Sequence, residues 1–140
     1  TPALALVNES PSLPVGLYLR QPDAPIAHGS VVAIAQPASI RPYLDSLGMP
    51  GEVKLIKRVA ATGGDRVCAE DGTVWTLSGP SLVQARDRRG VALPTWHGCR
   101  TLGADELFLL GDTPGSFDSR YFGPVRRDEV DGVYKETLTW

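Results

Sequence analysis

Fifteen glycines and twelve prolines are spread along 140 residues, about half again their average share. Because both residues end helices and strands, this spacing predicts many turns and short elements. Strand-like runs fill the gaps at 16–20, 31–36, 53–60, 66–70, 73–77, 82–86, 106–110 and 132–136. Asp71-Gly72 between two of them is a two-residue type I′ hairpin signal, and Thr62-Gly63-Gly64-Asp65 reads as a turn. One helix fits the pattern. Ser39 caps it, Pro42 falls in its first turn, Ile40, Tyr43, Leu44 and Leu47 share a face, and Gly48 ends it. The whole predicts a single mainly β domain over 1–140, antiparallel and partly barrel-like, with one short helix.

Composition narrows the function classes. The chain is 42% hydrophobic and 21% charged, ordinary for a domain that buries its own core. Its formal charge of −2 supplies no basic excess for a nucleic-acid partner. The longest aliphatic run, 31–35, is far short of the roughly 20 residues of a membrane helix. The chain opens on Thr1 and the apolar stretch Ala3-Leu4-Ala5-Leu6-Val7, which leaves room for a signal peptide or membrane anchor upstream. Cys68 and Cys99 admit two readings, a bridge or two buried thiols. If bonded they close 31 positions, worth about 3.7 kcal/mol in loop-closure entropy, and point to an oxidising compartment such as the periplasm.

Three stretches carry candidate chemistry. In an extended run at 53–60, Leu55, Lys57 and Val59 share one face, so aliphatic neighbours flank a lysine. Either Lys57 points inward or Ile56 faces the core and Lys57 snorkels at an edge. An inward amine without a counter-charge is pushed toward neutrality, and a neutral amine is a usable general base. Upstream, Asn8-Glu9-Ser10-Pro11-Ser12-Leu13-Pro14-Val15-Gly16-Leu17-Tyr18 holds two serines in a frame stiffened by Pro11 and Pro14. Downstream, a hydrophobic run enters a loop carrying Asp112, Ser116, Asp118, Ser119 and Arg120, where Asp118 and Arg120 can pair. Other constellations fit poorly. His28 and His97 lack a Gly-x-Ser-x-Gly elbow, His28 reads as an exposed turn residue, and His97, Cys99 and Cys68 have poor zinc spacing. Gly63-Gly64 lacks the helix and Lys-Ser/Thr of a phosphate loop.

In order, these stretches resemble the type I signal peptidase family. The matching pieces are Ser10-Pro11-Ser12-Leu13-Pro14, then Lys57-Arg58-Val59 with Gly64-Asp65, then Gly111-Asp112 with Ser116-Phe117-Asp118-Ser119-Arg120-Tyr121-Phe122-Gly123. The last is the most specific. Asn8 with Ser12-Leu13-Pro14-Val15-Gly16-Leu17-Tyr18, the Cys68/Cys99 pair, the small size and Ser116-Phe117-Asp118 in a short loop are most like the conjugative-transfer branch that processes pilins. Thr113 after Gly-Asp, the short 112–118 loop and Ala61-Thr62-Gly63 depart from the general secretory pattern.

The resemblance implies a serine endopeptidase with a Ser-Lys dyad, working without cofactor or metal. Ser12 is its implied nucleophile and Lys57 the general base. The Ser12 backbone N–H and the Ser10 hydroxyl would form the oxyanion hole. Ser116 would hold the Lys57 amine, and the pairs Asp118–Arg120 and Arg58–Asp112 would brace the site. Implied partners are a leader-bearing, pilin-like precursor and the membrane surface, with no nucleic acid. The peptide would lie extended beside the segments preceding Ser12 and Lys57, and Ala-x-Ala would precede the cut. The implied place is the periplasmic face of a bacterial inner membrane, with an N-terminal anchor upstream of Thr1. Some relatives join pilin ends into a ring. Two other readings are a self-cleaving repressor-type Ser-Lys domain and a non-catalytic β module that binds peptides by strand addition.

Overall fold

A computed structural model describes residues 4–140; Ala3, the first residue of the apolar opening, lies outside them. In chain order the elements are β1 (Ala5–Asn8), β2 (Gly16–Arg20), β3 (Val31–Ile34), α1 (Arg41–Ser46), β4 (Leu55–Ala61), β5 (Arg66–Glu70), β6 (Thr73–Thr76), β7 (Gly79–Leu82), β8 (Gly98–Thr101), β9 (Glu106–Leu110), α2 (Ser119–Phe122), β10 (Val125–Arg126) and β11 (Val130–Thr139). Seven strands form one antiparallel sheet in the order β1-β2-β11-β3-β4-β9-β10, and four form a second in the order β7-β6-β5-β8. The larger sheet is curled into a half-barrel, so the mainly β, partly barrel-like expectation holds.

The curl has a local cause. The ten-residue β11 pairs with β3 through its first half and with β2 through its second, and Tyr134 is shared between them. A register shift interrupts each ladder, between Val130 and Gly132 and between Glu136 and Leu138. Bulges of this kind bend a strand and increase its twist. Strand β3 is buried on both faces: Val32 and Ile34 pack with Leu55, Val59, Leu107 and Leu109, whereas Val31 and Ala33 pack with Leu13, Tyr18 and Tyr134. A third cluster of Ala61, Val67, Ala69, Val74, Leu102 and Phe108 joins the two sheets.

The Asp71-Gly72 turn forms as expected. Both residues have positive φ, 52° and 73°, and Glu70 pairs with Thr73 across it. Cys68 and Cys99 sit directly opposite on β5 and β8 and are disulfide-bonded, which decides between the two cysteine readings.

Several elements depart from expectation. The helix has Ile40 rather than Ser39 at its N-cap, and no side chain caps it. Ser39 instead lies in a 3₁₀ turn over Ala38–Ile40, with Pro42 setting the first α turn. Leu47, expected on the buried face, is the C-cap of the helix and is 48% exposed. The run at 82–86 is displaced to β7. Leu77-Ser78 makes a tight turn, Gly79 takes φ 109° after it, and Pro80 is accommodated because β7 is an edge strand. The strand ends at Leu82; the Val83 N–H still donates to the Gly72 carbonyl at 2.9 Å, and the Gln84 N–H donates instead to Tyr121 Oη at 3.0 Å. Strands β1, β8 and β10 and the single helical turn α2 were not among the expected elements.

Candidate active site

Strand β4 alternates as an inward/outward strand should: Leu55, Lys57, Val59 and Ala61 are buried, while Ile56, Arg58 and Ala60 are half-buried. Lys57 therefore points inward. It is 5% exposed and faces Val32 across the β3–β4 ladder. Burial pushes its amine down from the ordinary 10.5 to about 8. The Asp118 carboxylate pulls the other way and the Arg120 guanidinium adds to the depression. Desolvation dominates, as expected for a cation held among aliphatic side chains.

The Lys57 Nζ donates to Ser12 Oγ at 3.2 Å, a pair 45 positions apart in sequence and shielded from solvent. Ser12 is 7% exposed. It sits in the loop between β1 and β2, whose shape comes from the side chains around it. The Ser10 hydroxyl lies 3.2 Å from Ser12 Oγ and accepts from the Ser12 N–H at 3.3 Å. Tyr18 Oη donates to the Pro14 carbonyl at 2.6 Å, and the Asp112 N–H donates to the Ser12 carbonyl. The loop is thus tied to β2 on one side and to the segment after β9 on the other.

That segment carries the remaining candidates. Asp118 is fully buried and N-caps α2, accepting from the Arg120 N–H at 3.1 Å. Its carboxylate takes two further bonds from the Arg120 guanidinium, at 2.9 and 2.7 Å, and one from the Gly111 N–H at 2.8 Å. Arg120, 3% exposed, also donates to the Thr113 and Leu82 carbonyls. This is a two-pronged ion pair with its other donors largely satisfied, the arrangement that makes a buried pair tolerable. Arg58 and Asp112 form a second two-pronged pair, both bonds at 3.0 Å, at the half-exposed rim.

Ser116 is 2% exposed, but its Oγ pairs with Thr113 Oγ1 at 2.9 Å rather than with the Lys57 amine. Gly111 lies between the two serines: a Cβ there would fall 2.5 Å from Ser116 Cβ and 3.0 Å from Ser12 Cβ. Reading the sequence by residue type gave no role to Thr113, Gly111 or the buried Ser119, whose Oγ accepts from the Leu109 N–H at 2.9 Å. Nothing in a Gly-Asp-Thr-Pro-Gly-Ser string marks which hydroxyls meet. His28 is half exposed, as expected of a turn residue, and its Nε2 is hydrogen-bonded to the Asp65 carboxylate at 2.6 Å. It borders a cleft of about 240 Å³ that Arg58, Leu110, Gly111 and Asp112 also line; the cleft adjoins Ser12 through Gly111.

Chemically, the site holds a hydroxyl in hydrogen-bond reach of an amine that is partly neutral near pH 8. A second hydroxyl and a backbone N–H stand beside it. This is the equipment of nucleophilic acyl transfer.

Comparison with known proteins agrees on a family. The family model described as "Signal peptidase, peptidase S26" matches residues 4–140. A plasmid transfer protein TraF of Escherichia coli is 37% identical over 150 residues, covering 97% of this chain and 84% of that protein. A probable conjugal transfer protein TraF of Sinorhizobium fredii is 35% identical, covering 96% of this chain and 77% of that one. A crystal structure of a signal peptidase I from Enterococcus faecalis V583 covers 81% of this chain and 98% of its own, at 23% identity and TM-score 0.46.

Proposed function

Since this chain belongs to the peptidase S26 signal peptidase family, we propose that it is a Ser-Lys endopeptidase that removes the leader from an exported, pilin-like precursor during conjugation. The observation that carries this reading is the 3.2 Å bond between the buried Lys57 amine and Ser12 Oγ. The conjugal transfer names of its relatives support the biological setting.

In the proposed cycle, neutral Lys57 takes the Ser12 proton as Oγ attacks the scissile carbonyl. The oxyanion that forms is met by the Ser12 N–H and by the Ser10 hydroxyl, which turns from Ser12 toward it. Protonated Lys57 then gives its proton to the departing amine, leaving the leader esterified to Ser12. Water, deprotonated by the same amine, attacks the ester; the acyl–Oγ bond breaks, Lys57 returns the proton to Ser12 Oγ, and the leader leaves as a carboxylic acid that ionises in water. With an amine near 8, about a tenth of Lys57 is neutral at pH 7.

The substrate would lie extended between β1, an edge strand, and the start of β4, which has no β9 partner before Arg58. Val7, Leu19, Leu138 and Trp140 are exposed on β1, β2 and the end of the chain, beside the Ser12 loop. They supply an apolar surface suited to the periplasmic face of a membrane, where the apolar leader would be. Among the described residues, no helix is long and apolar enough to cross a membrane.

The test is intact mass spectrometry of an Ala-x-Ala-containing pilin-type precursor in detergent, with wild type and with Ser12→Ala. The expected result is one Ser12-dependent cut after Ala-x-Ala. A further loss of one water from the trimmed product would add ring closure to the activity. Equal cleavage by Ser12→Ala, or an intact precursor with both proteins, overturns the reading.

A further inference from the structure

Asn8 closes β1 and is 6% exposed, and its polar atoms all turn to the chain's own backbone. Its side chain is spent on the serine loop. The Nδ2 amide donates to the Ser10 carbonyl at 3.0 Å, the Leu13 carbonyl at 3.2 Å and the Pro14 carbonyl at 3.2 Å. Its Oδ1 accepts from the Ser10 N–H at 3.1 Å. Ser10 is thus gripped through both backbone groups, while its hydroxyl carries no bond to Asn8. The far end of the loop is gripped by the same amide and by Tyr18 Oη.

From this geometry we infer that Asn8 is a positioning residue for the oxyanion hole: it fixes the Ser10 backbone so that the Ser10 hydroxyl and Ser12 N–H converge on one point. The inference rests on the Ser-Lys reading above and adds to it a residue that touches neither substrate nor dyad. The physical need is specific. In the resting site the Ser10 hydroxyl faces Ser12 and occupies its N–H, so to stabilise the oxyanion the Ser10 side chain must turn about its Cα–Cβ bond, freeing that N–H, without the backbone following. Preorganised donors help catalysis only while they hold their place as charge develops. Asparagine suits the task because its two ends donate and accept at once, so one side chain satisfies an N–H and several carbonyls. Pro11 and Pro14 stiffen φ at two positions of the loop but leave Ser10 and Ser12 free.

The experiment is steady-state cleavage of the same precursor by wild type, Asn8→Ala, Asn8→Ser, Ser10→Ala and the Asn8→Ala/Ser10→Ala double variant, with melting curves for each. Asn8→Ser keeps an uncharged acceptor for the Ser10 N–H but loses the amide donors to the Leu13 and Pro14 carbonyls, so it serves if Asn8→Ala folds poorly. The expected result is a kcat lowered by about 10- to 100-fold, on the scale of a weakened oxyanion donor, with KM within about twofold because Asn8 does not meet substrate. The double variant should be no slower than Ser10→Ala by more than about twofold, since Asn8 acts through Ser10. The midpoint of the pH profile should stay where it is, because Lys57 keeps its surroundings. Multiplying losses in the double variant, an unchanged kcat in Asn8→Ala, or failure of both Asn8 variants to fold overturns the inference while leaving the dyad intact. A wild type that does not cleave overturns the functional reading and this inference together.

Discussion

Replacing Lys57 with Met removes an amine held at 5% exposure between Leu55 and Val59 and leaves an unbranched chain of similar length. The effect on stability follows from the proton. The amine titrates near 8 in the fold against an ordinary 10.5, so between those values the unfolded chain holds its proton more tightly than the folded one. Stability of the wild type therefore rises with pH through that window, and below pH 8 the full cost of burying the charge, about 3 kcal/mol, is present. Lys57→Met carries no such cost. Its advantage over wild type should shrink by about 1.3 kcal/mol between pH 7 and pH 9. Urea melts of both proteins at the two pH values measure this, because every other titrating group cancels in the difference. The same variant should cleave no precursor. A stability difference that does not change with pH would mean that the amine is not poised near 8 and would refute the account of Lys57 as a base.

Gly111→Ala places a methyl between Ser12 and Ser116, 3.0 Å from Ser12 Cβ; it should cost about 1–3 kcal/mol by overpacking and slow cleavage by displacing Ser12, read by melting and kinetics. Asp118→Asn leaves the buried Arg120 charge uncompensated and should cost about 3 kcal/mol or more. It should also move the midpoint of the pH–rate profile below that of wild type, because Asp118 raises the Lys57 amine. Removing the Cys68–Cys99 bridge as a Ser pair should cost about 3–4 kcal/mol from its 31-residue span. Its kcat should stay within about twofold, since the bridge lies in the second sheet, away from Ser12 and Lys57.

Legibility in the sequence followed the range of each interaction. The alternation of β4, which sets Leu55, Lys57 and Val59 on one face, and the Asp71-Gly72 hairpin are local, and both are visible in neighbouring residues. The choice between an inward Lys57 and an inward Ile56 was not local, because β3 is buried on both faces and gives Ile56 a half-buried place of its own. Ser39 and Leu47 suit a longer helix by composition; the chain forms only six α residues there. Strand β8 was hidden because its four residues are exposed and not alternating, and it exists by pairing with β5, where Cys99 meets Cys68. The Thr113–Ser116 bond and the four bonds of Asn8 needed three-dimensional proximity to be seen. The order of the serine, lysine and aspartate stretches was readable; the distances among them were not.

The most direct test of the Ser12–Lys57 pair is the pH dependence of kcat/KM for Ser12-dependent precursor cleavage, measured from about pH 6 to 10, in wild type and Lys57→Met. The account predicts a rate that climbs about tenfold per pH unit, levels off above the amine's value of about 8, and is absent in Lys57→Met. A rate that is flat across the range, or a Lys57→Met protein as fast as wild type, contradicts it.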